Sequence, residues 1–160
     1  MTTVAARAIP GWLPALRSYL LVSGFGNLIW ETLQIPLYTL WRTGSARDIA
    51  FAVVHCTGGD VVIATASLVV ALVVVGERGW PEERLTAVAL VTGAVGFAYT
   101  GYSEWMNTAI RGTWAYSPHM PVLPWLGIGL SPLLQWLVVP GGALYAAQRA
   151  GLREGDERER

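Results

Sequence analysis

The fold class this chain predicts is all-α: a polytopic membrane protein built as a bundle of four transmembrane helices. Three observations carry that reading. Of 160 residues, 53% are hydrophobic and only 14% charged, a balance too apolar for an ordinary water-soluble domain. The apolar residues fall into four long stretches, and about 20 such residues suffice for a helix to cross a bilayer. Ionisable side chains inside those stretches are few, and each one costs roughly 2.5 kcal/mol or more at bilayer depth unless paired or hydrated.

The first span is expected over about residues 18–41 (SYLLVSGFGNLIWETLQIPLYTLW), with Glu31 as its one charge. Ahead of it, residues 8–16 (AIPGWLPAL) hold two prolines and a tryptophan and suit the membrane interface. The apolar run continues to Leu40 without a small-residue cleavage site, so the segment reads as retained rather than as a signal peptide. The second span covers about 49–75 and is interrupted only by His55 and Asp60. The third, about 85–110, carries Glu104, and the fourth, about 125–147, has no charge. Only helices or closed barrels satisfy their backbone in lipid, and continuous runs of this length are helical. Residues 1–150 thus form one transmembrane domain, with 151–160 as a polar tail whose end is expected to be disordered.

Charge places the chain in the membrane. All eleven basic residues are arginine, a usage compatible with a GC-rich bacterial genome. Arg7, Arg17, Arg78, Arg84, Arg149, Arg153, Arg158 and Arg160 would share one side of a four-span protein, against Arg42, Arg47 and Arg111 on the other. The positive-inside rule then puts both termini in the cytoplasm and the protein in the bacterial inner membrane. The 111–124 loop (RGTWAYSPHMPVLP) faces outward, stiffened by proline and suited to the headgroup region.

Several function classes drop out. Formal net charge is zero, which argues against nucleic acid as a partner. No phosphate-binding glycine loop, zinc ligand quartet or dinucleotide fingerprint is present, and the sequence leaves any cofactor unknown. The single cysteine, Cys56, cannot form an internal disulfide and reads as a small apolar filler.

Helical spacing gathers the remaining polar residues onto single faces. Gly24, Asn27, Glu31, Gln34 and Tyr38 share a face of the first helix; Cys56, Asp60, Ala64 and Ser67 one of the second, with His55 on its flank. Gly93, Gly96, Thr100, Glu104, Asn107 and Arg111 line the third, and Ser131, Gln135 and Gly142 the fourth. At 1.5 Å of rise per residue, His55 and Glu104 lie roughly 9 Å inside the outer end, and Glu31, Asp60 and Gln135 roughly 15 Å. Pro36 and Pro140 should bend their helices, and Gly58-Gly59 should loosen the second beside Asp60.

Three acids cannot all be ionised and unpaired in a dry interior. The leading expectation is an outward-facing acidic pocket that binds or acts on a small apolar or amphipathic molecule. Glu31 and Glu104 are its candidate acid/base pair, supported by His55 and Asp60. Asn27, Trp30, Gln34, Trp105, Asn107, Trp114, Tyr116 and Gln135 are its candidate binding residues. The alternative is a structural subunit of a membrane complex, whose buried polar groups only lock the helices and whose partners are other membrane subunits and the lipid bilayer. A metal site on His55, Glu104, Asp60 and Glu31, with His119 as a further ligand, is a third option, although no Glu-x-x-His or His-x-x-x-His pair supports it. A proton-coupled carrier would also use buried acids and a histidine, but the inward half is apolar and no internal repeat is present.

Two resemblances bear on these options. Trp30-Glu31 and Glu104-Trp105 resemble the acid and aromatic pairing of membrane-embedded terpene cyclases, which implies a lipid-like or isoprenoid substrate; those proteins have more spans. The segments GNLIWETLQIPLYTLW, FAVVHCTGGDVVIA and YSEWMNTAIRGTWAYSPHMPVLPWLGIGLSPLLQW resemble a group of small bacterial four-helix integral membrane proteins. That likeness covers roughly residues 19–149 and implies the membrane fold, with no activity attached to it.

Overall fold

The computed structural model describes residues 11–75, 80–81 and 83–158. These form five α-helices: α1 Trp12–Gln34, the short α2 Leu40–Thr43, α3 Ala46–Val75, α4 Leu85–Trp105 and α5 Leu130–Arg158. A 3-10 turn (Ile35–Leu37) follows α1, and a π-helical turn (Met106–Ile110) follows α4.

The expectation of four spans is corrected. Among the described residues only Ala46–Val75, Leu85–Ile110 and Leu130–Glu154 are long and apolar enough to cross a membrane. The first stretch falls short in apolarity rather than length: α1 has 23 residues, but Arg17, Asn27, Glu31 and Gln34 dilute its apolar run. Its end is set locally. Pro36 has no N–H to continue the α-helical ladder, so α1 stops at Gln34 and the chain tightens into the 3-10 turn. Tyr38 is then extended (φ −111°, ψ 151°), which takes Leu40 and Trp41 out of the helix that sequence continuity assigned them to. At its other end α1 reaches back to Trp12 and so includes Arg17. With three candidate spans, placing both termini on one face no longer follows from counting.

Other boundaries move as well. Ser45 and Asp48 cap α3 reciprocally: the Ser45 N–H donates to Asp48 Oδ2 (2.9 Å) and the Asp48 N–H to Ser45 Oγ (3.3 Å). Such a capping box starts the helix three residues earlier than its apolar run suggests. Gly58 and Gly59 do not interrupt it. The stretch 125–129 is not helical. Gly127 sits at φ +63°, a left-handed position that favours glycine, and residues 121–130 fold into a hairpin. It is closed by Leu123 N–H to Ile128 O (2.9 Å) and Leu130 N–H to Pro121 O (2.7 Å). α5 begins only at Leu130, runs on through Pro140, and continues as helix past residue 150 to Arg158. Residues 1–10, which include Arg7 and the first three residues of the proposed interfacial segment, lie outside the described residues, as do Arg78 and Arg160.

The long helices pack antiparallel to their neighbours. Along α1 and α5, a Cβ at Gly11 would touch Gly151, one at Gly26 would touch Val139, and Gln34 bonds Ser131. Position rises on one helix as it falls on the other. α4 meets α5 in the same sense, Gly96 against Trp136 and Gly101 against Leu133. Trp80 and Pro81 are buried and close one end of the body, where a Cβ at Gly151 would come within 2.6 Å of Pro81 Cγ. We call this the junction end, and the opposite one the hairpin end. The core near the junction end is apolar and built from small residues with a few large ones: Ala15, Ala71, Ala143 and Ala147 beside Leu68, Val88 and Leu144.

Candidate functional site

α1 buries one seam, Ala15, Tyr19, Ser23, Asn27, Glu31 and Gln34, spaced by four residues and finally three. That seam feeds a hydrogen-bond network centred on Gln135 of α5, which is 2% exposed. Gln135 Nε2 donates to Asn27 Oδ1 (2.9 Å), to Glu31 Oε1 (3.2 Å) and, across to α3, to Asp60 Oδ2 (2.9 Å). An amide carries two N–H bonds, so three acceptors share two protons and the cluster is tightly coupled. Gln34 Nε2 donates to Glu31 Oε1 (2.7 Å), while Gln34 Oε1 accepts from Ser131 Oγ (2.9 Å). Trp30 Nε1 completes the layer by donating to Ser131 Oγ (3.2 Å). Three helices, α1, α3 and α5, are tied by these bonds alone.

A second layer lies nearer the hairpin end and draws in α4. Glu104 Oε2 accepts from the hydroxyl of Tyr116, in a short hydrogen bond, and from that of Tyr38 (3.4 Å). The two phenol rings lie 5.5 Å apart, tilted at 55°. The Tyr116 hydroxyl also accepts from the Gly129 N–H (2.9 Å), which fixes the base of the hairpin. Backbone pairing holds both tyrosines in place: Thr39 N–H to Ala115 O (2.9 Å) and Ser117 N–H to Leu37 O (2.8 Å) flank the Tyr38–Tyr116 bridge. Burial, and then the negative charge of Glu104, pushes the Tyr38 phenol well above its ordinary value. Burial and the bond to Glu104 push Tyr116 up as well. Both therefore remain protonated donors across the neutral range.

This geometry overturns the pocket expectation. Asn27, Glu31, Gln34, Glu104 and Gln135 are each at most 7% exposed, and each is hydrogen-bonded to another member of the network, to Asp60, to Ser131 or to the two tyrosines. A cavity of about 480 Å³ does adjoin both layers. Yet one oxygen of each carboxyl group there, Glu31 Oε1, Asp60 Oδ2 and Glu104 Oε2, is already held by amide or phenol donors. Glu31 and Glu104 do not act as a pair; they belong to different layers with different partners. His55 supports neither acid. It is exposed, with its ring stacked on Phe51 at 5.5 Å. The metal option also falls: among the described residues no group of three or more His, Cys, Asp or Glu side chains could hold an ion. His119 is exposed in the loop.

The candidate binding residues divide. Asn27, Trp30, Gln34, Tyr116 and Gln135 are members of the network. Asn107 is not: its Nδ2 donates to Ser103 O (2.8 Å) and Oγ (3.3 Å) within its own helix. Trp105 is 43% exposed and leans on Tyr102, and Trp114 is half-buried in the loop. Gly142, assigned to the polar face of the last helix, is exposed. One inter-helix bond escaped the sequence reading, Tyr19 hydroxyl to Ala64 O at 3.1 Å. Its signal was available, since Tyr19 continues the four-residue spacing of Ser23, Asn27 and Glu31. No protein-family model, curated protein or solved structure matches the chain.

Proposed function

We propose that this chain is a structural subunit of a membrane assembly, and that its buried polar residues serve to lock its helices. The observation that carries this is Gln135, a single amide that binds acceptors on α1 and α3 from α5. In lipid, apolar helix faces gain nothing from meeting one another rather than acyl chains, so hydrogen bonds and close packing have to supply specificity. The exposed apolar surface supports the partner side of the proposal. Leu21, Phe25, Ile29 and Leu33 run down α1 at four-residue spacing, each more than half exposed. A helix only moderately apolar overall, yet carrying such a stripe, suits contact with lipid or a neighbouring subunit. A bacterial inner membrane is the proposed setting, compatible with the use of arginine for all eleven basic residues.

The test is thermal unfolding of purified protein, together with its size in gently solubilised membranes. Gln135→Leu is expected to lower Tm markedly with no ligand present, and the wild-type chain to migrate in a complex larger than its own 17.3 kDa. Unchanged stability in Gln135→Leu would remove the locking role. Migration of the wild type as a lone chain would remove the subunit role.

A further inference from the structure

We propose that the hairpin 121–130 is a membrane-surface anchor, seating Trp125 and Leu126 in the lipid headgroup layer beside the start of α5. The inference rests on the membrane reading above. Trp125 is 93% exposed and Leu126 63%, with Val122 beside them at 45%. Residues 120–130 (MPVLPWLGIGL) contain no charged side chain. A tryptophan this exposed on an uncharged turn is costly against water, and the bilayer interface is where its amphipathic ring is favoured.

The tip is also held at the right height. The hairpin is closed on itself by four backbone bonds, including Gly127 N–H to Leu123 O (2.9 Å). Its base is tethered to the body, because the Gly129 N–H bonds Tyr116, which bonds Glu104. Glu104 lies six residues inside the end of the span Leu85–Ile110, about 9 Å along a helix. Four residues separate Gly129 from Trp125 and reach about 14 Å at full extension. The headgroup layer adds only about 6 Å beyond the hydrocarbon on each side, so the tether keeps the tip near that layer. Buried Met120 and Ile128 pin the inner face of the hairpin and leave the Trp125–Leu126 edge to the bilayer. The same edge continues the exposed apolar face of α5 at Leu134, Leu137 and Val138. Trp41, 53% exposed in α2, lies at the same end of the body.

The experiment places an environment-sensitive fluorophore on Trp125→Cys, and separately on Leu126→Cys, each in a Cys56→Ala background. The proteins are held in nanodiscs of phosphatidylethanolamine and phosphatidylglycerol. Both tip labels are expected to be quenched several-fold more by doxyl-bearing lipid than by aqueous iodide, and to emit at shorter wavelength than a label on Glu83→Cys. Quenching by iodide alone would put the tip in water and overturn the proposal. Quenching by neither agent would put it against protein, which overturns it equally. Labels on Leu134→Cys and Val138→Cys separate the two failures. If these too escape the lipid quencher, the membrane reading itself is at fault; if they are quenched and the tip is not, only the anchor fails.

Discussion

The two ends of this molecule are held together by different physics. Near the junction end, Ala15, Ala71, Ala143 and Ala147 let backbones approach, and cohesion comes from fit. Toward the hairpin end, amides, acids and phenols replace the alanines, and cohesion comes from directed bonds. The difference teaches why the polar residues sit where they do. Small side chains bring helices close but do not fix which residue faces which, whereas a bond from Gln135 to both Glu31 and Asp60 exists in one register only. One end supplies contact and the other specifies alignment.

The sharpest way to break that contrast is Gln135→Leu. It preserves volume approximately while leaving Asn27 Oδ1 and the part-buried Asp60 Oδ2 without this donor, Glu31 Oε1 keeping only Gln34. Each unmade bond of this kind costs about 1–3 kcal/mol. We expect a destabilisation above about 3 kcal/mol, read by denaturant or thermal unfolding in micelles. A loss near zero would mean that fit holds the hairpin end too.

Next in size is Gly96→Ala, which probes fit rather than bonding. A Cβ there would lie 2.0 Å from the Trp136 ring, and Trp136 is 2% exposed with little room to move. Overpacking of this kind costs about 1–3 kcal/mol. The same substitution at Gly58, where a Cβ meets nothing within 4 Å, should leave Tm unchanged or slightly raised; equal effects at the two sites would refute the packing assignment.

A double-mutant cycle on Glu104→Gln and Tyr116→Phe should return a coupling of about 1 kcal/mol. Additive losses would show that the second layer is not an energetic unit.

The smallest expected effect is a titration. Tyr38 and Tyr116 have raised pKa values in the folded chain, while an unfolded tyrosine titrates near 10. The protonated phenols therefore contribute stability that is fully present below about pH 10 and lost as pH climbs through the folded values. Absorbance of tyrosinate should show Tyr38 and Tyr116 among the groups that ionise late, and Tyr38→Phe should remove one of these. Ionisation of every tyrosine near pH 10 would contradict the burial of this layer.

Much of the network was legible as periodicity. Asn27, Glu31 and Gln34 at helical spacing named one face of α1, and Gln135 and Ser131 one face of α5, because a helix buries residues by angle and angle is set by position. Periodicity does not choose a partner. It placed Asn107 beside Glu104, but Asn107 turns to its own Ser103. It grouped His55 with the acids, but that ring stacks on Phe51 instead. Both choices depend on what stands across from the helix. Apolar continuity likewise named the three stretches able to cross a membrane and overcounted one more. The first helix is shifted toward the N-terminus, taking in Arg17 and losing Leu37 and Leu40, so that it is less apolar than the stretch read from the sequence.

By itself, then, the sequence determined an all-α chain suited to a membrane, with its polar side chains sorted onto helix faces. Those properties are local: they follow from hydropathy, from 3.6-residue periodicity and from the backbone limits of proline and glycine. Only the tertiary structure decided that the acids face amides and phenols rather than an open pocket. A buried polar group is defined by the partner that satisfies it, and here those partners lie up to 108 residues away along the chain.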